Sequence, residues 1–283
     1  MAAAARGSEG AGIAVLLYGA LLLATAGLAG RAASGREMGP LLGVVHIGWA
    51  LPALSIVFTG LRWLAPAMTS PERQFDDRLA ALDRDWFGLD IPRWSERILT
   101  PGLADPFMVF YALYFLMPVA TLLAFLVRGD RSRAYRGVFT VSAALYASYA
   151  LYMLVPAAGP RHAYVGRSAP LPEGILTGWT HDFIMHLEPQ PFDAFPSVHV
   201  VLGALCAALC WPFGGALRWG MAAVAAGTVA STLVLRYHYL VDDLAGLAVA
   251  GAALGGAAFL ARRAERKTAA SSHGDRMDEM LSG

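Results

Sequence analysis

Seven long apolar stretches constrain the fold of this chain more than any other feature of its sequence. Each is close to the length of about 20 residues that an α-helix needs to cross the hydrocarbon core of a membrane. Hydrophobic residues make up 57% of the 283-residue chain, charged residues make up 15%, and the mean hydropathy is +0.50. We therefore predict an all-α fold, a polytopic membrane helix bundle. The predicted spans cover residues 12–30, 42–64, 106–128, 137–156, 197–214, 218–235 and 239–261.

The spans divide the chain into four regions. An N-terminal transmembrane pair (1–65) precedes an amphipathic segment (66–105), a main membrane domain (106–262) and a polar tail (263–283) that we predict to be disordered and cytoplasmic. The first apolar stretch resembles a secretory signal because Arg6 precedes it, but its length favours a retained span.

The amphipathic segment contains apolar residues at helical intervals, and acidic and basic residues fill the remaining positions. This pattern predicts a helix that lies in the membrane interface or packs across the mouth of the bundle. The apolar positions are Phe75, Leu79, Leu82, Trp86 and Leu89.

Basic residues between the spans indicate the orientation of the bundle. Loops rich in arginine and lysine stay in the cytoplasm. Arg128, Arg131, Arg133 and Arg136 lie around the loop between the third and fourth spans, and the tail is also basic. We therefore predict an integral protein of the plasma (inner) membrane with a cytoplasmic C-terminus. The long 157–195 loop would then lie on the extracytoplasmic face.

The composition also argues against several other classes of protein. The net charge of +1 and the absence of a basic groove with interleaved aromatic residues give no sign of nucleic-acid binding. Cys206 and Cys210 fall four residues apart inside one apolar stretch, which suits packing better than a disulfide. We predict no metal and no cofactor, because the candidate ligands lack close spacing on a helix. Those candidates are His162, His181, Asp182 and His186.

Two short motifs place titratable residues at the ends of predicted spans, where such groups are costly unless they serve chemistry. Residues 195–199 read Phe-Pro-Ser-Val-His, and residues 236–243 read Arg-Tyr-His-Tyr-Leu-Val-Asp-Asp. A histidine and a carboxylate four residues later share one helical face, so Asp242 is expected to hold one ring nitrogen of His238 and leave the other as a nucleophile. His199 is the expected proton-handling partner. Asp243 is predicted to face solvent or a partner, since it points away from Asp242.

The same region contains candidate groups for binding a phosphate. Pro196 is well placed to start a helix, whose free N–H groups and Ser197 would favour an anion. Arg161 offers the planar fork that recognises phosphate oxygens in pairs, and Arg236 is a second candidate. We predict a phosphoryl-transfer site formed by these groups and the two histidines.

The motifs at 196–199 and 238–242 resemble the second and third signature motifs of the type 2 phosphatidic acid phosphatase (PAP2) superfamily. The His-Tyr-x-x-Asp form, with residues 83–88 (Asp-Arg-Asp-Trp-Phe-Gly) upstream, is similar to the branch that contains inositol phosphorylceramide synthases and related lipid phosphotransferases. The resemblance implies a PAP2-like catalytic core in region 106–262. Two departures favour this branch over ordinary phosphatases: the Lys-x6-Arg-Pro motif is absent around Arg161, and Thr232 stands where the family usually has an arginine.

The resemblance also implies roles for the candidate residues. His238 would attack phosphorus to form a phosphohistidine, Asp242 would orient it, and His199 would protonate the departing oxygen. Ser197 and Arg161 would bind the phosphate. Arg236 would substitute for the missing family arginine.

These observations predict a metal-independent membrane enzyme that takes a lipid phosphate from the bilayer and transfers the phosphoryl group to an alcohol acceptor or to water. One alternative is a phosphatidic acid or polyprenyl diphosphate phosphatase that uses only water. An alternative of another class is a non-enzymatic lipid or anion transporter, or a scaffold with a degenerate site. Transporters typically interrupt their helices near the bilayer midplane, whereas the polar residues here cluster at the ends of spans.

Overall fold

A computed structural model of the chain describes residues 2–34, 39–68, 73–164, 166, 169–172, 174–181 and 192–282. Helices form the fold, and these residues contain no β-strand. The helices in chain order are α1 (Ala2–Ala33), α2 (Pro40–Gly48), α3 (Ala50–Met68), α4 (Asp76–Phe87), α5 (Ile91–Ile98), α6 (Pro101–Leu113), α7 (Met117–Val127), α8 (Arg131–Leu154), α9 (Pro160–Ala163), α10 (Val198–Cys210), α11 (Gly215–Val234) and α12 (Leu240–Ser282). The all-α prediction is confirmed.

Among the described residues, six helical segments are long and apolar enough to cross a membrane. They comprise α1, the α2–α3 pair, the α6–α7 pair, α8, α11 and the first part of α12. The prediction of seven such spans is wrong for 197–214, because the apolar helix there covers only Val198–Phe213. It is short because a 3₁₀ turn at Trp211–Phe213 and two glycines with positive φ, Gly214 and Gly215, end it.

The short helix α10 lies at the centre of the bundle. It packs against α7, α8, α11 and α12, and its inward residues Val200, Val201, Leu205 and Cys206 are fully buried. A helix surrounded by protein needs less apolar length than one that faces lipid. Helices α10 and α11 run antiparallel, since the start of α10 lies beside the turn that follows α11. The start of α10, the end of α11 and the start of α12 therefore meet at one end of the bundle.

Two arginines of α8 lie at the opposite end of the bundle. Arg133 and Arg136 begin α8 and line one groove together with Leu260 and Ala261 of α12. Both helices have their other ends near the α10–α11–α12 junction, so these arginines are separated from that junction by the length of a span.

The amphipathic segment packs across the junction end. Leu79 and Ala80 of α4 are buried against Ala157, Tyr239 and Val241. Of the two alternatives for this segment, the structure therefore shows packing across the mouth of the bundle.

The tail also differs from its prediction, because α12 continues through Ser282 where composition indicated disorder. The segment contains no proline, and many of its residues favour helix.

Candidate active site

Two buried histidines meet at the junction of α10, α11 and α12. The distance from Nδ1 of His199 to Nε2 of His238 is 3.0 Å, and the side chains are almost inaccessible to solvent. His199 lies in the first turn of α10 and His238 in the turn that connects α11 to α12. The structure therefore brings together the two imidazoles that the sequence motifs single out.

Local contacts fix the start of α10 against α12. Ser197 is the N-cap of α10; its hydroxyl accepts from the N–H of Val200 at 3.4 Å, and its own N–H donates to the carbonyl of Asp242 at 3.0 Å. The helix thus begins at Val198, and the prediction that Pro196 starts it is wrong. Gly246 permits the close packing, because a Cβ there would lie 2.6 Å from the carbonyl oxygen of Ser197.

The turn before α12 determines the tautomer of His238. Its Nδ1 lies 2.9 Å from the carbonyl oxygen of Ala194, and a carbonyl only accepts, so Nδ1 carries the proton. Nε2 of the neutral ring therefore holds the lone pair and accepts from Nδ1 of His199. His238 precedes α12, so the premise that it shares a helical face with Asp242 is wrong.

Asp242 is nevertheless close to the ring. Its Oδ2 lies 3.6 Å from Nδ1 of His238 and accepts from the N–H of Tyr239 at 2.8 Å. The side chain is completely buried, and its Oδ1 has no hydrogen-bond partner among the described residues. The carboxylate thus supports the imidazole from a slightly longer distance than the Ala194 carbonyl does.

Of the two alternatives predicted for Asp243, solvent or a partner, the solvent alternative is wrong, because the side chain is only 2% exposed. Its Oδ2 accepts from the hydroxyl of Thr232 at 2.8 Å. Asp243 is buried because the turn at 235–239 brings the start of α12 against the end of α11. Both carboxylates of the first turn of α12 are then enclosed by protein.

Two tyrosines pack against His199 and a third stacks on one of them, and the sequence analysis did not identify any of the three as a site residue. The rings of Tyr111 and Tyr114 lie 4.3 Å and 4.1 Å from the imidazole between centroids, and Tyr237 stacks on Tyr111 at 4.2 Å. Tyr111 and Tyr114 are three residues apart, at the spacing of one helical face. This spacing of two tyrosines inside an apolar span was the sequence signal that could have identified them.

Arg161 lies beside this aromatic group. Its Nη1 donates to the hydroxyl of Tyr237 at 2.6 Å, and its guanidinium lies 4.8 Å from the centre of that ring. The N–H of Arg161 donates to the carbonyl of Arg236 at 2.7 Å. This arginine is therefore held next to the histidine pair through Tyr237.

Arg236 points elsewhere. It has a φ of 61° and is buried, and its Nη1 donates to the carbonyl of Ala169 at 2.7 Å and lies 3.6 Å from Glu96. Its Nε has no hydrogen-bond partner among the residues described. Arg236 thus attaches the long loop to α5, while the Ser197 hydroxyl caps α10. The phosphate-binding roles of both residues stay predictions.

Two buried carboxylates of α4 hold the backbone around the histidines. Asp83 accepts from the N–H groups of Leu240 and Val241 at 2.8 and 3.0 Å. Asp76 accepts from Ala158 and Gly159, both at 2.9 Å. Burial raises the pKa of both carboxyl groups, and the hydrogen bonds from the backbone oppose this shift.

In the sequence, both aspartates fall among the charged residues between the apolar positions of the amphipathic segment. Asp76 and Asp83 are 5% and 1% exposed, so both are buried, although the sequence analysis did not identify them as site residues. Their seven-residue spacing, which places them on one helical face, was the signal that could have identified them.

A cavity of about 450 Å³ extends from the histidine pair into the apolar part of the bundle. His199 and His238 line one end, together with His162, Asp193 and Tyr237. Its other walls come from α3, α6, α7 and α8. The geometry joins a polar reaction centre to a largely apolar space, as a lipid with a polar head requires.

Candidate metal ligands do not cluster in the part of the chain that the structure describes, where no group of three His, Cys, Asp or Glu side chains could hold an ion. Asp182 and His186 lie outside the described residues.

The PAP2 superfamily profile matches residues 77–256, well over half of the chain. The chain belongs to the PAP2 superfamily. Both histidine motifs, the junction of α10, α11 and α12, and the α4–α5 segment except Asp76 lie inside the matched region. Comparison with curated proteins and with solved structures finds no match. Membership of the PAP2 superfamily, together with the apolar helices, supports an integral-membrane protein of the lipid phosphatase or phosphotransferase kind.

Proposed function

We propose that this PAP2 protein transfers the phosphoryl group of a lipid phosphate through a phosphohistidine intermediate, without a metal. The observation that carries the proposal is the 3.0 Å pair of His199 and His238 at the head of the cavity. The lipid phosphate comes from the bilayer, and the acceptor is an alcohol or water. The resemblance of residues 83–88 and 238–242 to the inositol phosphorylceramide synthase branch supports an alcohol acceptor.

In the first half-reaction, the lone pair of Nε2 on His238 attacks phosphorus. The bond from phosphorus to the lipid oxygen breaks, and His199, as the imidazolium, donates a proton to that oxygen and is left neutral. The lone pair is directed at His199 in the present arrangement, so the substrate phosphate must enter between the two rings. Phosphorylation gives the His238 ring a positive charge, which the nearby carboxylate of Asp242 stabilises. Positioned acid–base catalysis of this kind contributes roughly 100- to 10,000-fold.

In the second half-reaction, His199 takes the proton from the acceptor hydroxyl. The acceptor oxygen attacks phosphorus, and the bond from phosphorus to Nε2 of His238 breaks. Arg161 and Ser197 bind the phosphate oxygens in this scheme. Arg236, which lies at the end of α11, contributes its positive charge to phosphate binding. The covalent intermediate divides one difficult displacement into two easier steps.

We further propose that the site faces the extracytoplasmic side of the plasma membrane and that the C-terminus is cytoplasmic. The position of Arg133 and Arg136, a span away from the histidines, supports this orientation.

The phosphohistidine is the decisive species to detect. Purified protein would be incubated with lipid labelled in the phosphate, with chelator present, and tested for acid-labile, base-stable label. We expect label on the wild type and on His46→Ala, and none on His238→Ala. His46 is a suitable control because it pairs with Tyr135 through a 2.9 Å contact, and neither residue lines the cavity. Absence of label and product with every lipid phosphate would favour a transporter or scaffold.

The acceptor requires a separate experiment. Candidate alcohols would be added to labelled enzyme, and phosphorylated products would be separated from free phosphate. Phosphate found on an alcohol supports transfer. If free phosphate is the sole product with every alcohol, the result favours a phosphatase that uses only water as acceptor.

A further inference from the structure

The cavity has a depth that matches one leaflet of a bilayer. Its lining extends along α8 from Tyr152, near the histidines, to Val141. An α-helix rises about 1.5 Å per residue, so this stretch of α8 measures about 16 Å. The hydrocarbon core of a bilayer is about 30 Å thick, so one leaflet accounts for about 15 Å.

The deep end of the cavity borders a second, much smaller void. Leu51, Pro118 and Val141 line both the cavity and a small void of about 20 Å³ beyond it. These three side chains therefore form a floor. A chain that enters with its phosphate at the histidines would reach the floor after crossing about one leaflet.

Helix α3 forms one wall of this space, although it lies before the region 77–256 that the PAP2 profile matches. Leu51, Ser55 and Phe58 of α3 line the cavity together with Val119 of α7. Ser55 and Val119 are also exposed at the surface of the bundle. The cavity thus opens towards lipid between α3 and α7.

We infer that the cavity binds one hydrocarbon chain of the substrate, which enters between α3 and α7, and that α3 determines which chains fit. This inference rests on the proposed function. It predicts that the substrates are lipid phosphates whose chains are as long as one leaflet, such as acyl or sphingoid chains. Polyprenyl phosphates whose chains are long enough to span the bilayer would not fit. A hydrocarbon chain is the expected occupant because the cavity is continuous with the histidine pair and is about as deep as one leaflet.

Ser55→Trp would test the role of α3 in catalysis. The large ring at an exposed lining position would narrow the entrance, and Leu64→Trp provides the same change on α3 outside the lining. Each variant would be assayed with dioleoyl and dihexanoyl phosphatidic acid and with a long polyprenyl phosphate in the same micelles.

We expect Ser55→Trp to lower kcat/KM for the dioleoyl lipid about tenfold or more, since a filled pocket loses the contacts of several methylenes. The dihexanoyl lipid and Leu64→Trp should change little, and wild type should favour the dioleoyl lipid over the polyprenyl phosphate. An equal loss for both acyl lipids, no loss for either, or a wild-type preference for the polyprenyl phosphate would overturn the inference. Wild-type inactivity towards all three would instead count against the proposed function.

A second measurement does not depend on turnover. Phosphatidic acid with a photoreactive group at the end of one acyl chain would be crosslinked to His238→Ala and mapped by mass spectrometry. We expect crosslinks at Leu51, Pro118 or Val141 that unlabelled dioleoyl lipid suppresses. Crosslinks spread over the outer surface without competition would refute chain binding in the cavity even if the enzyme is active.

Discussion

Replacing Asp83 should disturb the histidine pair from a helix that contains neither histidine. The carboxylate accepts from the N–H groups of Leu240 and Val241, the first two residues of α12, directly after the turn that holds His238. Asp83 therefore acts as a helix cap supplied by another part of the chain. Without it, two N–H groups at the start of α12 lose their partners.

The size of the effect follows from those two hydrogen bonds. A buried donor left without a partner costs about 1–3 kcal/mol, and removing a buried carboxylate recovers part of its desolvation cost. We expect Asp83→Ala to lower the free energy of unfolding by about 2–4 kcal/mol. Asp83→Asn keeps one acceptor oxygen and should lose about half as much, about 1–2 kcal/mol. A shift of about 1 Å in His238 could lower kcat about 100-fold.

Asp85→Asn is the matched control. Asp85 lies on the same helix, is exposed, and loses the same charge on substitution. Thermal unfolding in detergent and kcat with a lipid phosphate would be measured for all three variants. If Asp83→Asn matches Asp85→Asn in both measurements, the capping role of Asp83 is refuted.

Three other substitutions or treatments test the site. Gly246→Ala should lower the free energy of unfolding by about 1–3 kcal/mol through its contact with the carbonyl of Ser197, and it should lower kcat. Gly251→Ala, whose Cβ would have no atom within 4 Å, should change neither quantity. Equal behaviour of the two variants in thermal unfolding and activity would contradict the close-packing argument. Arg161→Lys should lower kcat/KM about tenfold, because lysine lacks the planar fork that binds paired oxygens and stacks on Tyr237; unchanged kinetics would remove Arg161 from phosphate binding. Activity should be unaffected by EDTA, and a loss that added Mg²⁺ restores would contradict the metal-independent mechanism.

The sequence alone predicted that the chain is a membrane protein and that the two histidines are candidate site residues. Apolar stretches of span length require helices in a bilayer, because backbone groups there must be bonded internally. His199 and His238 were recognisable because each begins or precedes an apolar helix, one hairpin apart. Both signals are local, so they depend on composition and spacing and not on the arrangement of distant segments.

The tertiary structure decided what surrounds the histidines. Asp83 contacts Leu240 across more than 150 residues, and Tyr111 reaches His199 from another span. Asp243 is buried only because the turn after α11 brings it against Thr232. Side-chain periodicity specifies which face of a helix is apolar, but it does not specify which helix covers that face. The roles of Asp83, Asp243 and the tyrosines therefore follow from the packing of α4, α6 and α11 around the start of α12.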